Sequence, residues 1–304
     1  MTVRHFLSMT SVTPAEMSAL LDRAAAMKAD RSPSQALGGR TVAMIFEKPS
    51  TRTRVSFQVA ISELGAHPLA LSSAELQLGR GETVEDTGRV LGSYVHGIVV
   101  RTFGQDRVET LAASSGIPVV NALTDDEHPC QALADLLTIR ERFGDLAGRT
   151  LAYVGDGNNV AHSLMLAGAM AGMRVTVATP PGYEPLQRFV DAACDRAAST
   201  GGVIETGHDP AHLVAGADAV YTDVWASMGQ EAEAAERRRA FDGFQVDAAL
   251  MGAAKPDAIA LHCLPAHRGE EISADVLDGP QSAVWDQAEN RLHVQKALLE
   301  WLLA

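Results

Sequence analysis

The sequence predicts an α/β protein of two domains, each a parallel sheet flanked by helices. Three observations carry that expectation. A length of 304 residues suits about two domains of ordinary size. Short apolar or β-branched runs alternate along the chain with longer segments of helical spacing. Several of those runs are apolar throughout rather than every second residue, as in strands covered on both faces.

Taken in order, strands are expected at 41–46, 97–101, 118–122, 150–154, 174–178, 219–222, 258–262 and 283–285. Helices are expected at 14–28, 53–64, 84–94, 131–143, 162–171, 186–198 and 287–303. Thr13 can cap the first of them, and Pro14 fits its opening turn. A helix ends at Phe143, and a short polar connection leads into a new strand at Thr150. The expected domains are therefore 1–143 and 144–286, followed by a C-terminal helix at 287–304. A cleft between two such domains is the default place for a ligand and an active site.

Composition narrows the function. Hydrophobic residues make up 46% and charged residues 21%, as in ordinary soluble globular proteins. With 25 Lys+Arg against 38 Asp+Glu, the net charge of −13 argues against nucleic acid as a partner. No apolar run approaches the ~20 residues of a membrane span, and the first residues lack the pattern of a secretory signal. Cys130, Cys194 and Cys263 are too few and too scattered for a disulfide framework. A cytoplasmic enzyme with no membrane contact is the expectation. Only four lysines (28, 48, 255 and 296) stand beside 21 arginines, so any clustering of arginine at a site matters.

Five segments carry candidate chemistry. In 46–54 an apolar strand leads into a helix opening with Ser50, Thr51, Arg52 and Thr53, where free backbone N–H groups, hydroxyls and a guanidinium suit a phosphate. Plain helix capping is the competing reading, but Arg52 and Arg54 crowd a turn whose dipole disfavours positive charge. His128, before Pro129 at a helix start, can donate to a carbonyl oxygen gaining charge or simply cap the helix. Arg101 ends its strand as a further cation.

The turn 153–161 fits a Gly-x-Gly-x-x-x-Ala version of the dinucleotide fingerprint. The next strand ends at Ala178 and runs into Thr179 and Pro180, without the acid that would hold a ribose, so Asn158 and Asn159 are better read as groups that orient a polar substrate. Asp223, followed by a small loop containing Gly229, is a plausible receptor for an amine. His262, Cys263 and His267 match no usual zinc spacing, and no metal is expected there. Leu264–Pro265 is a candidate cis bond.

In this order and spacing, the Ser50–Arg54, His128–Gln131 and His262–Pro265 segments resemble the aspartate/ornithine carbamoyltransferase family across the whole chain. The element from Asp223 to Ser227, Met228 and Gly229 resembles the ornithine branch. The resemblance implies a first domain for carbamoyl phosphate, a second for ornithine, and a last helix packing back on the first. It implies that Ser50, Thr51, Arg52 and Thr53 hold the phosphate, that Arg101 and His128 reach the carbamoyl oxygen or phosphate, and that Gln131, Arg291 and the backbone at Cys263 and Leu264 orient the carbamoyl group. Asn159, Asp223, Ser227 and Met228 match ornithine-binding positions, with Cys263 and Asp223 meeting the amine. Gln77 matches a residue contributed to a neighbour's site, which implies a homotrimer. No cofactor is implied. The expected reaction is direct attack of the ornithine side-chain amine on carbamoyl phosphate. The alternatives are transfer to another amine, such as putrescine or an acylated ornithine, and an NAD-dependent dehydrogenase.

Overall fold

The computed structural model describes residues 3–72, 76–77, 81–226 and 233–304. The chain divides into two compact units, Met1–Ala134 with Asn290–Ala304, and Asp135–Glu289. Among the described residues, no helix is long and apolar enough to cross a membrane.

The first unit is built on four parallel strands: β1 (Thr41–Phe46), β2 (His67–Ser72), β3 (Gly97–Arg101) and β4 (Val119–Leu123), in the order β2-β1-β3-β4. Apolar runs explain β1, β3 and β4, whose residues are almost all buried. The edge strand β2 was not expected from the sequence: Pro68 interrupts it and every residue keeps some exposure, so no apolar run marks it. The helix Gln105–Ser115, also unexpected, packs Val108, Leu111 and Ala112 against Ile45, Ile98 and Val100 of the sheet.

The first long helix begins as its sequence indicates. Thr13 accepts from the Glu16 N–H and the Glu16 carboxylate accepts from the Thr13 N–H at 2.9 Å, a reciprocal cap with Pro14 in the first turn. The terminal residues 290–304 are bound into this unit by ion pairs and hydrogen bonds. Glu300 accepts from Arg23 at 2.6 and 2.8 Å, Asn290 from Lys28 at 2.8 Å, and Lys296 donates to Glu63 at 2.8 Å.

The second unit has five parallel strands: β5 (Thr150–Val154), β6 (Arg174–Ala178), β7 (Val203–Gly207), β8 (Ala219–Thr222) and β9 (Ile259–His262), ordered β7-β6-β5-β8-β9. The half-exposed edge strand β7 again escaped the sequence pattern. Residues 283–285, expected as a strand, are not one. Their stretch makes a single bridge, Ala260 with Ser282, and the helix Val284–Leu303 starts immediately after it. Ala283 and Val284 are apolar because they are buried against the sheet, not because they extend it.

Both sheets reverse direction beside their first strand, between β1 and β3 in one unit and between β5 and β8 in the other. The loops leaving the C-terminal ends of strands at such a reversal diverge and leave a crevice for a ligand. The segments singled out at Ser50, Arg101, Asn158 and Asp223 all lie at those ends.

Candidate active site

The first unit gathers a cationic, hydrogen-bonded cluster. Ser50 is extended and caps the helix Thr51–Glu63, its hydroxyl accepting from the Thr53 N–H at 3.2 Å. Capping therefore accounts for Ser50, and it leaves Thr53 turned inward and buried. The Thr53 hydroxyl accepts from Arg291 Nη2 at 2.7 Å. Nη1 of the same guanidinium donates to Gln131 Oε1 and lies 3.4 Å from His128 Nε2. Thr53, His128, Gln131 and Arg291 are each no more than 5% exposed. Four expected residues thus meet, although Arg291 stands 160 residues beyond Gln131 in sequence.

Electrostatics fix the state of His128. Burial, and then the charges of Arg291, Arg101 and Arg52, hold its pKa well below the ordinary 6.5. The ring is neutral at physiological pH and carries one N–H to offer an oxygen. All three guanidinium charges thus act on one point. Arg101 ends β3 where the pairing with β4 shifts register, Val100 facing Asn121 but Arg101 facing Leu123. Such a bulge turns the strand end and re-aims its side chain.

Acids nearby are tied away. Glu47 pairs with Arg107 at 2.7 Å, and Lys48 pairs with Asp125. Glu127, buried beside His128, accepts from the Met9 N–H at 3.0 Å, and Thr124 accepts from the Glu127 N–H at 3.1 Å. Cys130, to which the sequence assigns no role, is a buried thiol pushed up to about 12 by desolvation and donating to the Asn121 carbonyl.

The second unit organises around Asp223, at the end of β8 and only 6% exposed. Its Oδ2 accepts from Asn158 Nδ2 at 2.9 Å, and its Oδ1 accepts from Cys263 Sγ at 3.0 Å and from the Val224 N–H at 2.8 Å. Asn158 caps the helix Asn159–Met170, its Oδ1 accepting from the Val160 and Ala161 N–H groups. Asn158 therefore caps the helix and holds the carboxylate at once. Its place as the residue before a helix was the available signal. The turn that delivers it requires Gly157, because a Cβ there would lie 2.2 Å from the Pro185 nitrogen.

The segment after β9 is shaped by groups that spacing did not reveal. Leu264–Pro265 is cis, and Leu264 itself is left-handed at φ 59°. The Leu264 N–H donates to His262 Nδ1 at 2.8 Å, which puts the ring proton on Nε2, facing Glu271 Oε1 at 3.1 Å. The same oxygen accepts from the His267 N–H at 2.6 Å. Asp223, His262 and Cys263 bring their ligand atoms within 4.8 Å of one another. Both imidazole nitrogens are already engaged, so His262 serves the turn and has no lone pair for a metal.

Arg52 and Asn159 are half-buried at the helix starts where the sequence puts them, and Thr51 and Gln77 are exposed. Ser227 and Met228 lie outside the described residues.

Comparison with known proteins agrees over the whole chain. Residues 4–141 match the profile of the aspartate/ornithine carbamoyltransferase carbamoyl-P binding domain, and residues 147–302 that of the family's Asp/Orn binding domain. The chain belongs to the aspartate/ornithine carbamoyltransferase family. It is 61% identical to the ornithine carbamoyltransferase of Parafrankia sp. (strain EAN1pec), covering 100% of this chain and 97% of that protein. It is 62% identical to the ornithine carbamoyltransferase of Acidothermus cellulolyticus, covering 99% and 97%. Among solved structures, the ornithine carbamoyltransferase of Pyrococcus furiosus superposes with a TM-score of 0.96 at 53% identity, covering 99% of this chain and 97% of that one. A carbamoyltransferase needs anion and carbonyl recognition, and the neutral His128 among three arginines has the chemistry for it.

Proposed function

We propose that this chain transfers the carbamoyl group of carbamoyl phosphate to the side-chain amine of ornithine, giving citrulline and phosphate. What carries the reading is the buried Thr53–Arg291–Gln131–His128 cluster in a chain more than 60% identical over its length to proteins named ornithine carbamoyltransferase.

On this reading Ser50, Thr51, Arg52 and Thr53 hold the phosphate at a helix start, where N–H groups and the helix dipole favour an anion. Arg101 and His128 donate to the carbamoyl oxygen, and Gln131, Arg291 and the backbone at Leu264 orient the carbamoyl group. Asn159, Asp223, Ser227 and Met228 bind ornithine, with Asp223 and Cys263 facing its amine. The amine nitrogen attacks the carbonyl carbon, and its electron pair forms the new C–N bond as the carbonyl becomes a tetrahedral oxyanion. Collapse breaks the C–O bond, whose electron pair leaves with phosphate, and the departing phosphate takes up the extra proton from the nitrogen. Each donor aimed at the oxyanion is worth roughly 3 kcal/mol in the transition state. A neutral His128 suits that task because its N–H can donate to the oxyanion without adding a further buried charge beside three arginines.

The ornithine amine must attack as a free base, yet an alkylamine has a pKa near ~10.4. Asp223, held by Asn158 and Cys263, orients the amine, while desolvation favours its neutral form. The assembly is proposed to be a cytoplasmic homotrimer in which Gln77 reaches a neighbouring site.

Replacing Arg52 tests the reading directly. Arg52→Ala should cut citrulline formation at least a hundredfold and abolish carbamoyl-phosphate binding in a calorimetric titration. Near-normal turnover in that variant would sink the assignment.

A further inference from the structure

Arg237 lies outside every motif above, yet it is buried in the second unit at 7% exposure. It belongs to the short helix Ala234–Ala240. Its Nη1 donates both to Asp156 Oδ2 and to the Trp225 carbonyl, each at 2.9 Å. Its Nε donates to Glu233 Oε2 at 3.1 Å, and its guanidinium sits 5.0 Å over the Tyr183 ring. The Tyr183 carbonyl in turn accepts from the Gly157 N–H at 2.8 Å.

The spacing of these partners gives the group its meaning. Asp156 stands two residues before Asn158, and Trp225 stands two residues after Asp223. One nitrogen of Arg237 therefore ties together the two strand-end loops whose tips meet in the Asn158–Asp223 hydrogen bond of 2.9 Å. Trp225 is fixed from its other side by stacking on Phe241, centroids 5.6 Å apart, and Phe241 also packs edge-on against Tyr183 at 4.8 Å. A planar fork with several donors can serve two acceptors and an aromatic face at once, which a lysine ammonium cannot.

We propose that Arg237 is a positioning residue for the amine-receiving carboxylate: through Asp156 and the Trp225 carbonyl it sets the distance between Asn158 and Asp223, and so the affinity for the amine substrate. This rests on the reading of Asp223 as the receptor for the ornithine amine.

The test is a double-mutant cycle on the full-length enzyme, read as KM for ornithine, kcat, and the calorimetric dissociation constant for carbamoyl phosphate. Arg237→Gln should raise the ornithine KM at least tenfold and leave carbamoyl-phosphate binding within twofold. Arg237→Lys, which keeps the charge but loses the fork, should fall between. In an Asp223→Asn background the Arg237→Gln effect on KM should vanish, since contacting residues couple non-additively. Additive effects, or equal losses of ornithine and carbamoyl-phosphate affinity, would mean a merely structural role and overturn the proposal. Asp156→Asn is the second variant should Arg237→Gln fail to fold, with the same expectations. If Asp223→Asn itself leaves the ornithine KM unchanged, the receptor reading falls and this inference with it. If Asp223→Asn raises KM and neither Arg237 nor Asp156 replacement does, only the positioning role fails.

Discussion

His128 and Asp156 are both buried and titrate in opposite directions, so their burial acts on stability with opposite sign. The folded state of His128 resists protonation far below 6.5, while the unfolded chain accepts the proton near that value. Its contribution is whole above pH 6.5 and erodes as the pH falls toward the folded-state value. Asp156 is pushed up to about 6 by burial, with Arg237 pulling it back down. Between 3.8 and that value the folded state keeps a proton the unfolded state has released, so this group's contribution declines as pH rises through the window. His128→Gln should therefore lose less stability than the parent between pH 6.5 and 5 in chemical denaturation. An unchanged acid slope would contradict the picture of a neutral, buried imidazole. Single residues were also where the sequence was most legible: Thr53, His128, Gln131, Arg291, Asp223 and Cys263 each carry a recognisable type at a recognisable place. Asn158 and Glu271 were not legible in their roles, because hydrogen bonds to residues 65 and nine positions away leave no trace in local spacing.

At the scale of elements, buried strands announce themselves and half-exposed ones do not. The edge strands β4 and β9 are buried and were readable as apolar runs along with β1, β3, β5, β6 and β8, while the edges β2 and β7 mix polar and apolar residues because they keep partial exposure. The 283–285 stretch shows the converse error, burial mistaken for extension. The turn after β9 depends on a polar prop rather than on its own residues. Glu271 is fully buried and accepts from both the His262 ring and the His267 backbone. Glu271→Ala leaves the buried His262 ring N–H without its acceptor, which costs about 1–3 kcal/mol. The variant should lower the midpoint of urea unfolding accordingly and weaken ornithine more than carbamoyl phosphate. A loss under about 0.5 kcal/mol, the level of an ordinary surface substitution, would show that the turn stands without it.

For the whole molecule, the proposed sharing of Gln77 between neighbours makes a clean prediction. Gln77→Ala and Arg52→Ala should each depress activity, yet mixed assemblies of the two chains should regain part of it. A site built from the Gln77→Ala chain and served by the Arg52→Ala neighbour holds both intact residues. Mixtures no more active than the separate variants would put Gln77 in its own chain's site or in none.

The return of residues 290–304 to the first unit has a consequence for how the protein is made. Arg291 belongs to the phosphate-side cluster, but the whole of Asp135–Glu289 is translated before it. At the ordinary pace of synthesis that is a wait on the order of ten seconds or more. During that interval Thr53, Gln131 and His128 exist without the guanidinium that ties them together. The nascent chain therefore passes a period in which residues 1–134 exist without Arg291, and the cluster is completed only when the early turns of the final helix are made.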